Sequence, residues 1–269
     1  MNPLVRLLRL IADSIFMPLG APLRHASLLR MLVQREIAVR TSGTLLGRLW
    51  PLLQPALQVV GFWFLFAVVF DMRNIRGPDY LQYLLLGMLP WLCLNEVLSR
   101  SAGLFREFSP LFARTPFPLE VLPMVTYAIP AMVYTAVLGL TALWLLGVAA
   151  MLKSLIVIPL LLLWALPLML LVAVIGLFVR DFGQMLPFLL TLLMYVTPIL
   201  YFPEQLPQFV RAWLWLNPMA DWMSVIHNML TGGAVASASV MRLAGLWFLM
   251  LAPCWLLYRR TLLHVRELL

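Results

Sequence analysis

Between Arg48 and Asp71 the chain carries no charged side chain, only a run dominated by Leu, Phe, Val and Trp. A hydrocarbon core about 30 Å thick is crossed by a helix of about 20 apolar residues, so this run is long enough to span. The sequence holds six such candidates, residues 50–70, 80–98, 121–147, 155–178, 185–202 and 239–258. Charged residues make up 11% of the 269 residues, against about 25% in a soluble domain. The patterning therefore predicts an all-α integral membrane protein with six transmembrane helices. The third span is long enough to tilt, or to bend at Pro123 or Pro130. The sixth is the least regular, because Arg242 near its start must snorkel outward.

Six spans put both termini on one side, and the arginines say which. All basic residues but Lys153 are arginine. With the termini inside, the inner segments hold fourteen of the basic residues and the outer segments five, Arg73, Arg76, Lys153, Arg211 and Arg242. The positive-inside bias then places both ends in the cytoplasm. The net charge of +8 is spread between apolar runs instead of gathered on one domain, which speaks for a membrane surface and against nucleic acid. The resulting organisation is a cytoplasmic segment over 1–49, a six-span domain over 50–258 and a cytoplasmic tail over 259–269. The first twenty residues, with Asp13 and Pro18 breaking a short apolar patch, lack a convincing cleavage site and are expected on the inner membrane face.

Two non-spanning segments stand out. Residues 99–118, SRSAGLFREFSPLFARTPFP, form an inner loop with three arginines among aromatics. Residues 203–232 form an outer segment whose apolar runs are too short to cross. Asn217-Pro218 divides it into two short helices, and Trp213, Trp215 and Trp222 suit a headgroup-level position. A pair of half-inserted helices near the outer mouth is the natural reading.

Catalytic chemistry is poorly represented. His25, His227 and His264 are far apart, the carboxylates are scattered, and there is no Walker-type phosphate loop, so no catalytic residues, metal ligands or cofactor are assigned to this chain. Cys93 and Cys254 lie in apolar runs and read as packing residues. Glu96 is the carboxylate nearest an intramembrane position, and its spacing to Arg100 predicts an i,i+4 ion pair at the inner interface, with a proton or substrate role as the other reading.

Five stretches taken together resemble one family: QREIAVRTSGTLLGRLWPLLQP over 34–55, FSPLFARTPFPLEVLP over 108–123, FVRDFGQMLPF over 178–188, TPILYFPEQLP over 197–207 and WLNPMADW over 215–222. In this order they are similar to type-2 ABC transporter permeases that export polysaccharide. The resemblance implies a homodimer of six-helix subunits on two separate ATPase subunits, which carry ATP and Mg. It also implies an amphipathic interfacial helix before the first span, an inner gate helix between spans two and three, and outer re-entrant gate helices between spans five and six. The substrate implied is a lipid-linked O-antigen, capsule or teichoic acid chain crossing the bacterial inner membrane, with envelope accessory proteins as further partners.

That resemblance gives several residues a role. Arg35, Glu36, Arg40 and Thr41 fall on the segment that touches the ATPase in the family, and they become its coupling element; snorkelling anchorage is the other role open to them. On the same segment Leu28, Leu32, Val39 and Leu46 share a helical face interrupted by Arg35, and Thr41, Ser42 and Gly43 are expected to turn the chain into the membrane. Arg48, Arg100, Arg106 and Arg114 lie at the inner mouth, where guanidinium groups suit a lipid pyrophosphate; ordinary inner-leaflet anchoring is the alternative. Arg106 and Arg114 are near enough to one helical face to line an entrance together, provided Pro110 does not break the helix. Phe62, Trp63 and Phe66 on the first span, with Tyr195 and Tyr201 on the fifth, provide aromatic faces for sugar rings, and helix or lipid packing is the competing use. Trp213, Trp215 and Trp222 become outer-gate residues. The alternative function is a drug or small-lipid exporter of the same fold. A membrane glycosyltransferase would need clustered Asp, Glu or His at one face, and a secondary transporter would show internal repeats and mid-membrane charges; neither pattern is present.

Overall fold

The computed structural model describes residues 20, 24–72, 79–112 and 118–268, and every regular element among them is helical. A helix α1 (Ala26–Thr41) is followed by α2 (Trp50–Trp63), which continues as a π-helical stretch Phe64–Val69. Next come α3 (Asp79–Ser101), the short α4 (Leu104–Phe112), α5 (Leu122–Leu146) led by a 3-10 turn Leu119–Val121, and α6 (Val148–Phe178). The remainder is α7 (Phe182–Val196), a single turn α8 (Gln208–Arg211), α9 (Pro218–Thr231) and the long α10 (Ser237–Leu268).

Five of these are long and apolar enough to cross a membrane: Trp50–Val69, Asp79–Ser101, Leu119–Leu146, Val148–Phe178 and Ser237–Leu262. The stretch expected to span as residues 185–202 is helical only from Phe182 to Val196, 15 residues. That is about 22 Å at 1.5 Å per residue, short of a 30 Å core. The helix stops at Thr197 because Pro198 follows and disfavours the α region before it. The fourth span begins at Val148, earlier than expected, because Gly147 alone links it to α5; Lys153 is thus a helix residue and not a loop residue.

α3 is the centre of the bundle and α2 its periphery: 72% of the α3 spanning window is buried against 6% of that of α2. Around α3, Leu84, Leu86, Leu89, Cys93 and Val97 meet Val125, Leu138, Leu161, Leu162 and Leu166, all fully buried. α6 and α10 are stapled by two indoles: Trp164 Nε1 donates to the Leu243 carbonyl at 3.0 Å and Trp247 Nε1 to that of Leu163 at 2.9 Å. Gly176 near the end of α6 lies against the backbone of Ala102, and a Cβ there would overlap the Ala102 carbonyl. This close crossing brings the end of α3 onto the end of α6.

Three prolines, Pro51, Pro123 and Pro218, fall in the first turn of their helices, where a missing N–H is tolerated. Pro123 therefore produces no bend. Pro110 lies inside α4 without ending it. The carbonyl of Arg106, which Pro110 cannot reach as a donor, accepts instead from Ser109 Oγ at 2.9 Å. α1 ends as expected, with Ser42 as its cap and Gly43 at φ 74, a left-handed conformation that suits glycine.

Candidate functional site

The bundle has two polar ends. At one, α1 lies across the ends of α3 and α5 and is fastened by an ionic clamp. Glu36 Oε1 accepts from Arg40 Nε at 3.2 Å and from Arg100 Nη2 on α3, while Arg40 Nη2 donates to Glu96 at 3.0 Å. Glu107 on α4 lies 3.7 Å from Arg100. The predicted Glu96–Arg100 pair is replaced by this arrangement, because α1 folds back and offers each partner an opposite charge at closer range. Burial and the neighbouring charge of Glu36 raise the Glu107 carboxyl above its usual range, against the opposing pull of Arg40 and Arg35.

The clamp also corrects the expected face of α1. Leu32 and Glu36 are its buried residues, with Leu28 and Leu29 packed on the core, whereas Val39 and Leu46 are exposed. A carboxylate sits on the buried side because two guanidiniums meet it there. Arg35 is exposed, and the Thr41 hydroxyl donates back to the Ile37 carbonyl at 2.8 Å. Of the four residues expected to couple, Glu36 and Arg40 tie α1 to α3, and Arg35 is exposed.

The arginines proposed for a pyrophosphate divide differently. Arg100 is consumed by the clamp. Arg106 reaches the end of α6, donating to the Gly176 carbonyl at 2.6 Å and to that of Arg180 at 3.3 Å; it thereby satisfies carbonyls a helix C-terminus leaves open. Arg114 and the side chain of Arg48 lie outside the described residues, so the pairing of Arg106 with Arg114 does too.

Beside the clamp, between α1, α2, α3 and α5, is a cavity of about 560 Å³. Its wall includes Arg40, Gln54, Gln58, Asn95, Glu96 and Tyr134, with Trp50 at the side. Sequence reading overlooked the two glutamines. Their signal was present, two amides four residues apart in an otherwise apolar span, but only the fold shows what they face.

The aromatic residues of the first span separate by face. Phe62 and Phe66 stack at 6.3 Å, and Phe66 meets the edge of Tyr80, so both turn toward the core; Trp63 is exposed. Tyr195 is exposed, and the Tyr201 hydroxyl donates to the carbonyls of Tyr195 and Val196 at the end of α7.

At the opposite end, α9 is bound on three sides. Asn217 caps it by accepting from the Met219 amide at 3.0 Å and donates to Thr197 Oγ1 at 2.9 Å. Asp221 pairs with Arg242 of α10, so the half-buried Arg242 has a carboxylate partner on α9. His227 stacks on Tyr83 of α3 at 4.0 Å, its two ring nitrogens 2.7 Å from the carbonyls of Met223 and Tyr83. Asn217 and Pro218 divide this segment as expected. Trp213 and Trp215 are exposed, while Trp222 is buried edge-on against Trp164. No sequence signal paired Asp221 with Arg242.

Among the described residues no group of three His, Cys, Asp or Glu could hold a metal ion. The arrangement is that of a multi-pass helical membrane protein whose polar residues gather at the two ends of a packed bundle. Residues 27–231 match the family described as ABC-2 type transporter, and the chain belongs to that family. It is therefore the membrane component of an ABC transporter, a class that works with a nucleotide-binding partner. The chain is 31% identical over 211 residues to an O-antigen export system permease protein of Myxococcus xanthus, covering 75% of this chain and 79% of that one. It is 23% identical over 211 residues to the protein of the same description from Klebsiella pneumoniae, covering 75% and 80%. It is 22% identical over 209 residues to the polysialic acid transport protein of Escherichia coli, again covering 75% and 80%.

Proposed function

We propose that this chain is the permease subunit of an exporter of lipid-linked polysaccharide, working as a homodimer on two separate ATPase subunits that carry ATP and Mg. The observation that carries the reading is the similarity, over three quarters of the chain, to permeases described as exporting O-antigen. In this reading α7 and the chain to Phe202 complete a sixth crossing, both termini are cytoplasmic in the bacterial inner membrane, and α9 stands at the outer mouth. The inner end supports coupling through α1: Arg35 is free to meet the ATPase, while Glu36 and Arg40 pass its displacement to α3 as a rigid connection.

The test is copurification with the ATPase encoded beside this chain, followed by ATPase and glycan-export assays of Arg35→Ala. A stable assembly in which Arg35→Ala hydrolyses ATP without matching export supports the reading. Absence of an ATPase partner overturns it, and loss of the gene without change in surface glycan redirects it to a drug or small lipid.

A further inference from the structure

Gln54 and Gln58 occupy one face of α2, and every other side chain from Trp50 to Val69 is apolar or aromatic. Gln54 is exposed and Gln58 half-buried, so at this polar end of the bundle both amides are open to a hydrogen-bonding partner. Among the described residues neither amide has a side-chain hydrogen bond. Both instead line the 560 Å³ cavity beside the clamp, opposite Asn95 and Glu96 of α3 and Tyr134 of α5.

The wall has a definite chemistry. Its formal charges are Arg40 and Glu96, and they are paired at 3.0 Å, with Arg40 also held by Glu36 at 3.2 Å. An anion would have to break that pairing. A neutral ligand would not, and the amides of Gln54, Gln58 and Asn95 offer donors and acceptors together, as a hydroxyl group requires. Trp50, which is exposed, adds a flat apolar face of the kind that packs on the C–H side of a sugar ring. The volume lies within the roughly 300–1,000 Å³ of ligand pockets.

We infer that this cavity is a binding site for a neutral, hydroxyl-rich ligand, a sugar unit of the exported glycan, read by Gln54 and Gln58 and seated against the ion pair that fastens α1. The inference rests on the polysaccharide-export reading above. It separates recognition of sugar from recognition of the lipid phosphate, and it puts a bound sugar in contact with Arg40 and Glu96, through which α1 is tied to the bundle.

The test uses the full chain in lipid nanodiscs and, as probe, the surface glycan of the host released from its lipid by mild acid. Binding is read by isothermal titration. The wild type is expected to bind, and Gln54→Leu and Gln58→Leu are each expected to weaken binding about five- to tenfold, while inorganic pyrophosphate does not compete. Leucine suits a spanning helix, so both variants are expected to insert and to keep the wild-type size on gel filtration. No binding by the wild type, or equal binding by the leucine variants, overturns the site while leaving the export reading intact. Dissociation of the assembly in the leucine variants would also overturn it, by making the amides subunit contacts. A deletion strain that keeps its surface glycan overturns the export reading, and the sugar site falls with it.

Discussion

Glu36→Gln is the substitution that most directly probes how α1 is attached. One carboxylate oxygen accepts from both Arg40 and Arg100, with side-chain exposures of 11% for Glu36, 24% for Arg40 and 16% for Arg100. Removing its charge leaves Arg40 with Glu96 at 3.0 Å but Arg100 with only Glu107 at 3.7 Å. A charge-assisted hydrogen bond contributes about 1.5–3 kcal/mol, and stripping one partner from a fully buried pair costs about 3–5 kcal/mol. Partial exposure here screens the interaction, so about 2–3 kcal/mol is expected. For a chain of this size that corresponds to a Tm lowered by roughly 4–12 °C if the loss is global. If it is local, amide exchange quickens along Ala26–Thr41 while the α3 core stays protected. The assay is thermal unfolding in detergent beside hydrogen exchange, with Arg100→Gln and the double variant completing a cycle. A Glu36→Gln protein with unchanged Tm and unchanged exchange in α1 would refute the clamp and leave Leu32 and its neighbours as the whole attachment.

Three other outcomes are expected. The Glu107 carboxyl is raised in the folded protein, so its ionisation works against the fold: stability falls as pH rises from the ordinary carboxylate range through the raised value. Glu107→Gln should therefore have a higher Tm than wild type near pH 8 and an equal one near pH 4, checked by thermal unfolding across that range. Gly176→Ala places a methyl group on the Ala102 carbonyl, an overlap with backbone that costs about 1–3 kcal/mol or more, and should be read as lower yield and lower Tm. Asp221→Asn or Arg242→Met alone leaves an uncompensated charge or its unmatched partner between α9 and α10 and, with Arg242 partly exposed, should destabilise by about 1–2 kcal/mol, whereas Asp221→Leu with Arg242→Met should recover most of that loss; comparing the three melting curves decides it.

The spans themselves were legible because hydrocarbon imposes a length and a composition that few other environments do. Four of the five long helices fall close to the predicted ranges, and the Asn217-Pro218 division is local chemistry, a side-chain cap followed by a proline. The exceptions have physical causes. Lys153 falls just outside the apolar run that begins at residue 155, yet α6 starts five residues before it, at Val148, and carries it. The segment at 185–202 read as a full span because apolarity does not record where a proline ends a helix. Arg242 looked like a residue seeking water because Asp221 lies on a different helix.

By itself, then, the sequence determined the environment of this protein, the approximate number and position of its spans, and, through five motifs in order, its family. Those are properties of stretches of chain, set by transfer of apolar groups and by proline and glycine geometry. Only the tertiary structure decided which charges meet. The i,i+4 spacing favoured Glu96 with Arg100, but α1 returns to the end of α3 and takes both into a network with Glu36 and Arg40. Only the fold, too, turned Gln54 and Gln58 toward Asn95, Glu96 and Tyr134 and made a polar cavity from three spanning helices and α1. Such pairings depend on distances between helices far apart in sequence, which no periodicity within one helix contains.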